Sequence, residues 1–229
     1  KTTEVLETYK ALVEMSPEGI HHWKNGRDFY ASDVVPLTFW ASYLLDDIAG
    51  TRDNVPIMVD DNPQSLALAQ DTNVIVGMAG PSNPDGGTWV EVHNFGVTVD
   101  ANTDEAAAFI EYVMNEEYVT WLGMAPEGSF PIRPGPSAGS KIFIDEWGNL
   151  PIGVDRKIPI NQIYSNEIIE SLINGLAVGT RWGAKEGQLP VAAKLVNSGL
   201  MNRLMMEYIN GDRSAEDTVD MLNSEAAKL

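Results

Sequence analysis

Residues 95–122 read FGVTVDANTDEAAAFIEYVMNEEYVTWL, and the hydrophobic period changes part-way along. Phe95, Val97 and Val99 alternate with smaller or polar residues, which is the period of a strand. From Asp104 onward Phe109, Ile110, Val113 and Met114 recur at helical spacing. Asn102 and Glu105 stand at the junction with the spacing of a capping box, Asn102 as N-cap and Glu105 reaching back to its backbone amide. Alanines on the helix allow close backbone approach. The stretch therefore predicts a short strand, a polar turn, and a helix over 104–115 that packs against a sheet.

Upstream, Val90 and Val92 also alternate with polar residues, and the phase slips near Asn94, which predicts a bend between two strand pieces. Before that, NVIVGMAGP (73–81) reads as an apolar strand, and SNPDGG (82–87) as a loop by turn chemistry. RDFYASDVVPLTFW (27–40) contains a short apolar strand broken by Pro36, followed by a helix through ASYLLDDIAG. Residues 3–15 carry an apolar helical stripe that SPEG terminates. Downstream, APEGSFPIRPGPSAGS (125–140) is a long loop rich in proline and glycine. Ser165 is placed as N-cap for the stripe Ile168, Ile169, Leu172, Ile173 and Leu176. Pro190 opens one long helix at the first-turn position, with apolar residues from Val191 to Tyr208, and Gly211 ends it. Ser214 and Asp217 resemble a capping box before a terminal helix. Helix-rich, strand-rich and helix-rich segments in that order predict an α/β protein whose chain leaves one lobe near Asn94 and returns after the Pro/Gly-rich loop.

Composition sets bounds. Of 229 residues, 44% are hydrophobic, a globular proportion. No apolar run approaches the roughly 18 residues that span a bilayer. The chain starts at Lys1 with no secretory signal, so a processed protein or part of a longer one is expected. Fifteen basic residues against 33 acidic ones give a net charge of -18, which argues against nucleic acid and anionic lipid as partners. The acidity is read either as solubility or as adaptation to high salt. Zero cysteines exclude disulfides, zinc–thiolate sites and thiol catalysis.

No phosphate-binding glycine loop, His-Glu-x-x-His or Gly-x-Ser-x-Gly occurs. His21 and His22 are adjacent and point apart, so they read as a solvent-facing pair. His93, at the strand break beside Asn94, is a candidate to line a cleft. Glycosidase chemistry needs two carboxylates roughly 5–10 Å apart. Asp46–Asp47, Asp60–Asp61 and Glu116–Glu117 read instead as solvated surface acids. The six tryptophans are Trp23, Trp40, Trp89, Trp121, Trp147 and Trp182. Trp40 follows the expected strand, and Trp182 sits in the polar loop TRWGAKEGQLP beside Arg181. An indole in such a place offers a flat apolar face to the C–H face of a sugar while polar neighbours bond its hydroxyls. Trp121 reads as core.

Four segments, in order, carry a family likeness: RDFYASDVVPLTFW; VIVGMAGPSNPDGGTWVEVHNFGVTVDANTDEAAAFIEYVMNEE; APEGSFPIRPG; and TRWGAKEGQLP followed by a long helix and NGDRSAEDTVDMLN. Together they resemble the extracellular solute-binding proteins of ABC importers, the maltose-binding-protein-like family. The glycine usual after the phenylalanine segment is replaced around Ala31 and Ser32. The resemblance implies a periplasmic-binding-protein-like (type II) lobe, helix-rich, from the C-terminal portion of a longer two-lobed protein. Residues 1–92 with 156–229 would form one lobe. Residues 93–155 would be the hinge crossing and the returning section of the other. The missing N-terminal part would supply most of that other lobe and any lipid anchor. Exposed apolar surface over 95–115 would then favour a homodimer or altered packing.

By that resemblance the chain binds a small polar solute, a sugar or oligosaccharide, outside the cytoplasmic membrane and delivers it to ABC permease subunits. Hinge closure around the ligand would be the mechanism. Trp40, Tyr43 and Trp182 are the expected stacking faces, Arg181 a hydrogen-bond donor, and His93 and Asn94 hinge contacts. No catalytic residue, cofactor or metal is expected. A carbohydrate hydrolase using a carboxylate pair and a plain interaction domain remain as alternatives.

Overall fold

The structure, a computed structural model, describes residues 2–19, 22–32, 34–52, 58–59, 62–63 and 66–228. His21 and the pair Asp60–Asp61 lie outside the described residues. In chain order the elements are α1 (Thr2–Met15), α2 (Trp23–Ala31), α3 (Leu44–Ile48), β1 (Met58–Val59), β2 (Asn62–Pro63), α4 (Leu66–Asp71), β3 (Met78–Gly80) and β4 (Asn83–Trp89). They continue as α5 (Thr103–Asn115), α6 (Tyr118–Leu122), α7 (Ile142–Trp147), β5 (Pro151–Ile152), β6 (Ile158–Pro159), α8 (Ile160–Ile163) and α9 (Asn166–Gly175). A short 3-10 helix (Leu176–Val178) leads to β7 (Gly179–Thr180), α10 (Leu189–Asn197), α11 (Leu200–Ile209) and α12 (Ala215–Ala226). The architecture is mixed α/β, rich in helix, with small sheets. Among the described residues no helix is long and apolar enough to cross a membrane.

The chain divides into two compact units. One comprises Lys1–Ile20, Gly77–Glu91 and Val178–Leu229; the other, His21–Val76 and Val92–Ala177. The division drawn from the sequence groups the segments differently: 21–76 and 156–177 fall here with 92–155.

In the first unit α1, α11 and α12 pack together, and Leu195, Leu200 and Leu204 are buried against Val191, Met221 and Leu222. The helix expected to run from Pro190 to Tyr208 is two helices. Gly199 breaks it at φ +65°, a left-handed conformation that costs a side chain about 1–2 kcal/mol. Ser198 reinforces the break: its hydroxyl donates to the Leu195 carbonyl at 2.8 Å and accepts from the Leu200 amide at 3.2 Å. α12 starts as expected, with Ser214 Oγ accepting from the Asp217 amide at 3.0 Å.

The same unit holds the sheet β3-β4-β7, with β3–β4 antiparallel and β4–β7 parallel. Of residues 82–87, expected as a loop, 83–87 belong to β4, while the apolar 73–76 are irregular. Turn chemistry misled here because the hairpin turn is Pro81–Ser82, and the glycines lie within β4, in a hairpin with an irregularity of register. Gly86, at φ +79°, sits where a Cβ would overlap the Gly77 carbonyl.

In the second unit Leu44, Leu45, Ile48, Ala69, Ile152, Ile160, Ile163, Ile168 and Leu172 bury a core with Trp147 at its centre. Trp147 is fully buried, stacks on Phe130 at 4.9 Å, and donates its indole N–H to the carbonyls of Pro126 (3.2 Å) and Ser129 (2.9 Å). An indole with its polar atom satisfied is a large apolar contribution. It also ties the irregular 125–130 loop to α7. Ser165 caps α9, accepting from the Ile168 amide at 3.4 Å.

Two expectations for the opening stretch part company. Asn102 caps α5, its side-chain oxygen accepting from the Glu105 amide. The strand over 95–99 does not form: residues 90–99 are irregular and 91–100 are all exposed. Alternation satisfies one face of a strand, but a strand also needs a hydrogen-bonding neighbour. None of the α5 residues is buried, so the helix lacks the sheet floor expected of it. Met114 packs on the small cluster of Tyr118, Leu122 and Phe143, whereas Phe109 and Tyr112 face solvent.

Trp147→Ala is expected to lower unfolding stability by about 3–5 kcal/mol, read as a fall in the urea midpoint at unchanged slope. Gly199→Ala, which meets open space, should cost only the conformational strain of about 1–2 kcal/mol. A neutral result in thermal unfolding would show that the break does not require glycine.

Candidate functional site

The second unit buries a group of charges that the sequence reading placed on the surface. α3 is entirely buried, Asp46 and Asp47 included. Arg27, on α2, is 1% exposed; its Nη1 donates to Asp47 Oδ1 at 3.0 Å, and its Nε and Nη2 donate to Asp28 Oδ1 at 3.3 and 3.2 Å. Arg52 Nε donates to Asp46 Oδ2 at 2.9 Å and lies 4.0 Å from Asp47 Oδ1. Asp46–Asp47 is therefore not a solvated surface pair. A helix of five residues among apolar neighbours has no solvent face, so its carboxylates require cationic partners from elsewhere in the chain.

Glu127 joins them from the loop after α6. It is 3% exposed, and among the described residues neither its Oε2 nor Asp46 Oδ1 has a hydrogen-bond partner. Burial raises the carboxyl of Glu127 above its ordinary range; its own backbone amide opposes that, and the Asp46 charge adds to it. Burial likewise raises Asp47, with the Asp46 charge adding and Arg27 and Arg52 opposing. The hydrogen bond to Asp46 raises Arg52. Tyr164, pushed up by its burial, donates to the Leu45 carbonyl at 2.6 Å and closes the group from the α8 side. Among the described residues no group of three or more histidine or carboxylate side chains could hold a metal ion.

Beside this group the chain presents aromatic rings. The strand expected before Trp40 is absent: α2 runs through Ala31, and 34–41 are irregular around Pro36. Trp40 and Tyr43 are 43% and 44% exposed, and Phe39 is exposed too. Trp40 lies 3.5 Å from where a Cβ on Gly26 would stand. A Cβ on Gly128 would overlap the Tyr43 ring, so the ring sits directly on the backbone next to Glu127. Both rings thus have a supported back and an open face. His93 and Asn94 are exposed on the irregular segment, where Asn94 Nδ2 donates to the Val92 carbonyl at 3.4 Å.

The first unit carries the other sequence-derived residues. Trp89 pairs in register with Thr180, and the Arg181 guanidinium lies 5.8 Å from the centre of the Trp89 ring. Trp182 follows, 41% exposed. Trp89 was not singled out from the sequence, because the parallel β4–β7 pairing joins residues some 90 positions apart. Glu127 was missed for the same reason; Arg27 and Arg52, 20 and 6 positions from their aspartates, were missed because the acids were read as facing solvent. The one local signal was an Asp-Asp pair inside an apolar helix. Trp121, expected as core, is half-buried, with Phe95 at 5.6 Å and Tyr118 at 6.0 Å.

Comparison with protein-family models, with curated proteins and with solved structures finds no match to this chain.

Arg27→Met would leave Asp47 buried with only Arg52 at 4.0 Å. A loss of about 3 kcal/mol is expected, measured by urea unfolding at neutral pH. A loss below about 1 kcal/mol, the value of a surface pair, would show that the cluster is solvated.

Proposed function

We propose that the chain is a ligand-binding module for a small polar solute, a sugar or oligosaccharide, and belongs to an extracytoplasmic ABC-importer binding protein of the maltose-binding-protein-like type. The observation that supports this best is the pair Trp40 and Tyr43, half-open rings on irregular backbone with glycines behind them. Aromatic faces supported in this way contribute stacking area without needing to be ordered on binding. The other unit, taken by itself, carries Arg181 over the Trp89 ring and the half-exposed indole of Trp182. The order of the four sequence segments supports the family, its type II lobe, and the role of this chain as a C-terminal portion. In that setting the solute is passed to permease subunits after closure of two lobes.

A carboxylate-pair hydrolase is the weaker reading. Asp46, Asp47 and Glu127 are closed off from solvent, and the two aspartates are ion-paired to guanidinium groups. A glycosidase needs its acid and its ionised partner open to the substrate.

Isothermal titration of the full-length protein against mono- and oligosaccharides tests the proposal. At least one sugar should bind, and Trp40→Ala should weaken that sugar about tenfold or more while leaving the unfolding midpoint within a degree or so. Absence of heat and of any midpoint shift across the sugar panel would refute sugar binding. Turnover of chromogenic glycosides would favour the hydrolase.

A further inference from the structure

The buried charges of the second unit do not balance. Three carboxylates, Asp46, Asp47 and Glu127, share two guanidinium groups, Arg27 and Arg52. The remaining charged neighbours are better solvated: Asp28 is 39% exposed at its side chain, and Asp155, Arg156 and Lys157 are exposed on the β5–β6 connection. The two phenols facing the group are committed elsewhere, Tyr164 to the Leu45 carbonyl and Tyr30 to Thr72 Oγ1 at 2.9 Å. One excess negative charge is thus left with two unpartnered buried oxygens, Asp46 Oδ1 and Glu127 Oε2. For Glu127, whose carboxyl has no ion-pair partner among the described residues, a proton removes the excess charge most simply.

We propose that Glu127 is a proton-operated latch: the neutral acid holds the 125–130 loop against α3, and loss of its proton releases the loop from beneath Tyr43. Deprotonation adds a third carboxylate charge to a buried group, and Lys157 and Arg52 offset only part of it. Relief comes from exposing Glu127, which sits on irregular backbone. The loop is held by the Gly128 amide on the Ala125 carbonyl (3.1 Å), the Ser129 amide on the Pro126 carbonyl (3.3 Å), and the Trp147 indole. Moving Gly128 removes the backbone on which the Tyr43 ring rests. The latch needs no ligand to operate, so it stands apart from the solute-binding proposal.

The direction of the pH effect follows from linkage. A carboxyl raised in the folded state binds its proton more tightly there than in the unfolded chain. Its contribution is therefore complete below the ordinary glutamate value of 4.5 and is lost as pH rises through the folded midpoint. Glu127→Gln keeps the shape and a donor but cannot titrate.

The test is urea unfolding of the full chain, wild type and Glu127→Gln, from pH 4 to pH 9. The ratio of the two unfolding equilibrium constants should shift in favour of the variant as pH rises, about tenfold per pH unit inside the window. Parallel profiles would overturn the proposal. Amide exchange at pH 8 reads the loop itself: Gly128 and Ser129 should exchange faster in wild type than in the variant, and equal rates would refute loop release. If the variant fails to fold, carbon-13 NMR of the wild-type side-chain carboxyls decides. Glu127 should titrate well above the surface glutamates, and titration among them would sink the latch.

Discussion

A guanidinium removed from water must be surrounded by acceptors, and Arg27 imposes that condition on half of the molecule. Its partner Asp47 requires α3 to present its carboxylates inward, and Asp46 then requires Arg52. Glu127 is packed against the same charges from a loop whose position depends on the Trp147 indole. Apolar packing alone tolerates small slides of one helix on another. A dry hydrogen-bonded charge group does not, because an ångström of separation leaves a bare ion. The irregular segment that carries Trp40 and Tyr43 runs directly into α3. The open rings inherit its rigidity, which is why a stretch without regular structure can hold two aromatics in a defined place.

The second unit also shows what regular structure cannot secure alone. α5 is well capped and patterned, yet buries nothing, and the extended residues before it are exposed throughout. Val99 and Phe109 are largely open to solvent. A net charge of -18 adds repulsion between copies to this apolar surface. The local chain is competent to form strand and helix; the neighbour that would complete a sheet is what the described residues lack.

Local signals were legible where a few adjacent residues decide the energy. Asn102, Ser165 and Ser214 were recognisable as caps because a side-chain oxygen meets an amide three residues on, whatever else the chain does. The break at Gly199 was visible in principle but obscured by a continuous apolar stripe on both sides of it. Residues 82–87 carried loop chemistry, yet 83–87 became a strand, since a short hairpin tolerates asparagine, aspartate and glycine once Pro81 and Ser82 turn the chain. Trp40, Tyr43, Arg181 and Trp182 were chosen as aromatic or donor residues in polar loops. The structure leaves all three rings half-exposed; Gly26 backs Trp40, Gly128 backs Tyr43, and Trp89 meets the Arg181 guanidinium.

The amino-acid sequence by itself determined the capped starts of α5, α9 and α12, the mixed α/β class, the acidic composition and the absence of cysteine chemistry. Each of these follows from composition or from interactions within one turn of chain. Tertiary structure decided which acids are buried, which strands find partners, and what lies behind each open ring. Those outcomes depend on groups 6 to 119 residues apart meeting in a medium of low dielectric. There the same aspartate that would be an inert surface charge becomes an obligation that another segment has to meet.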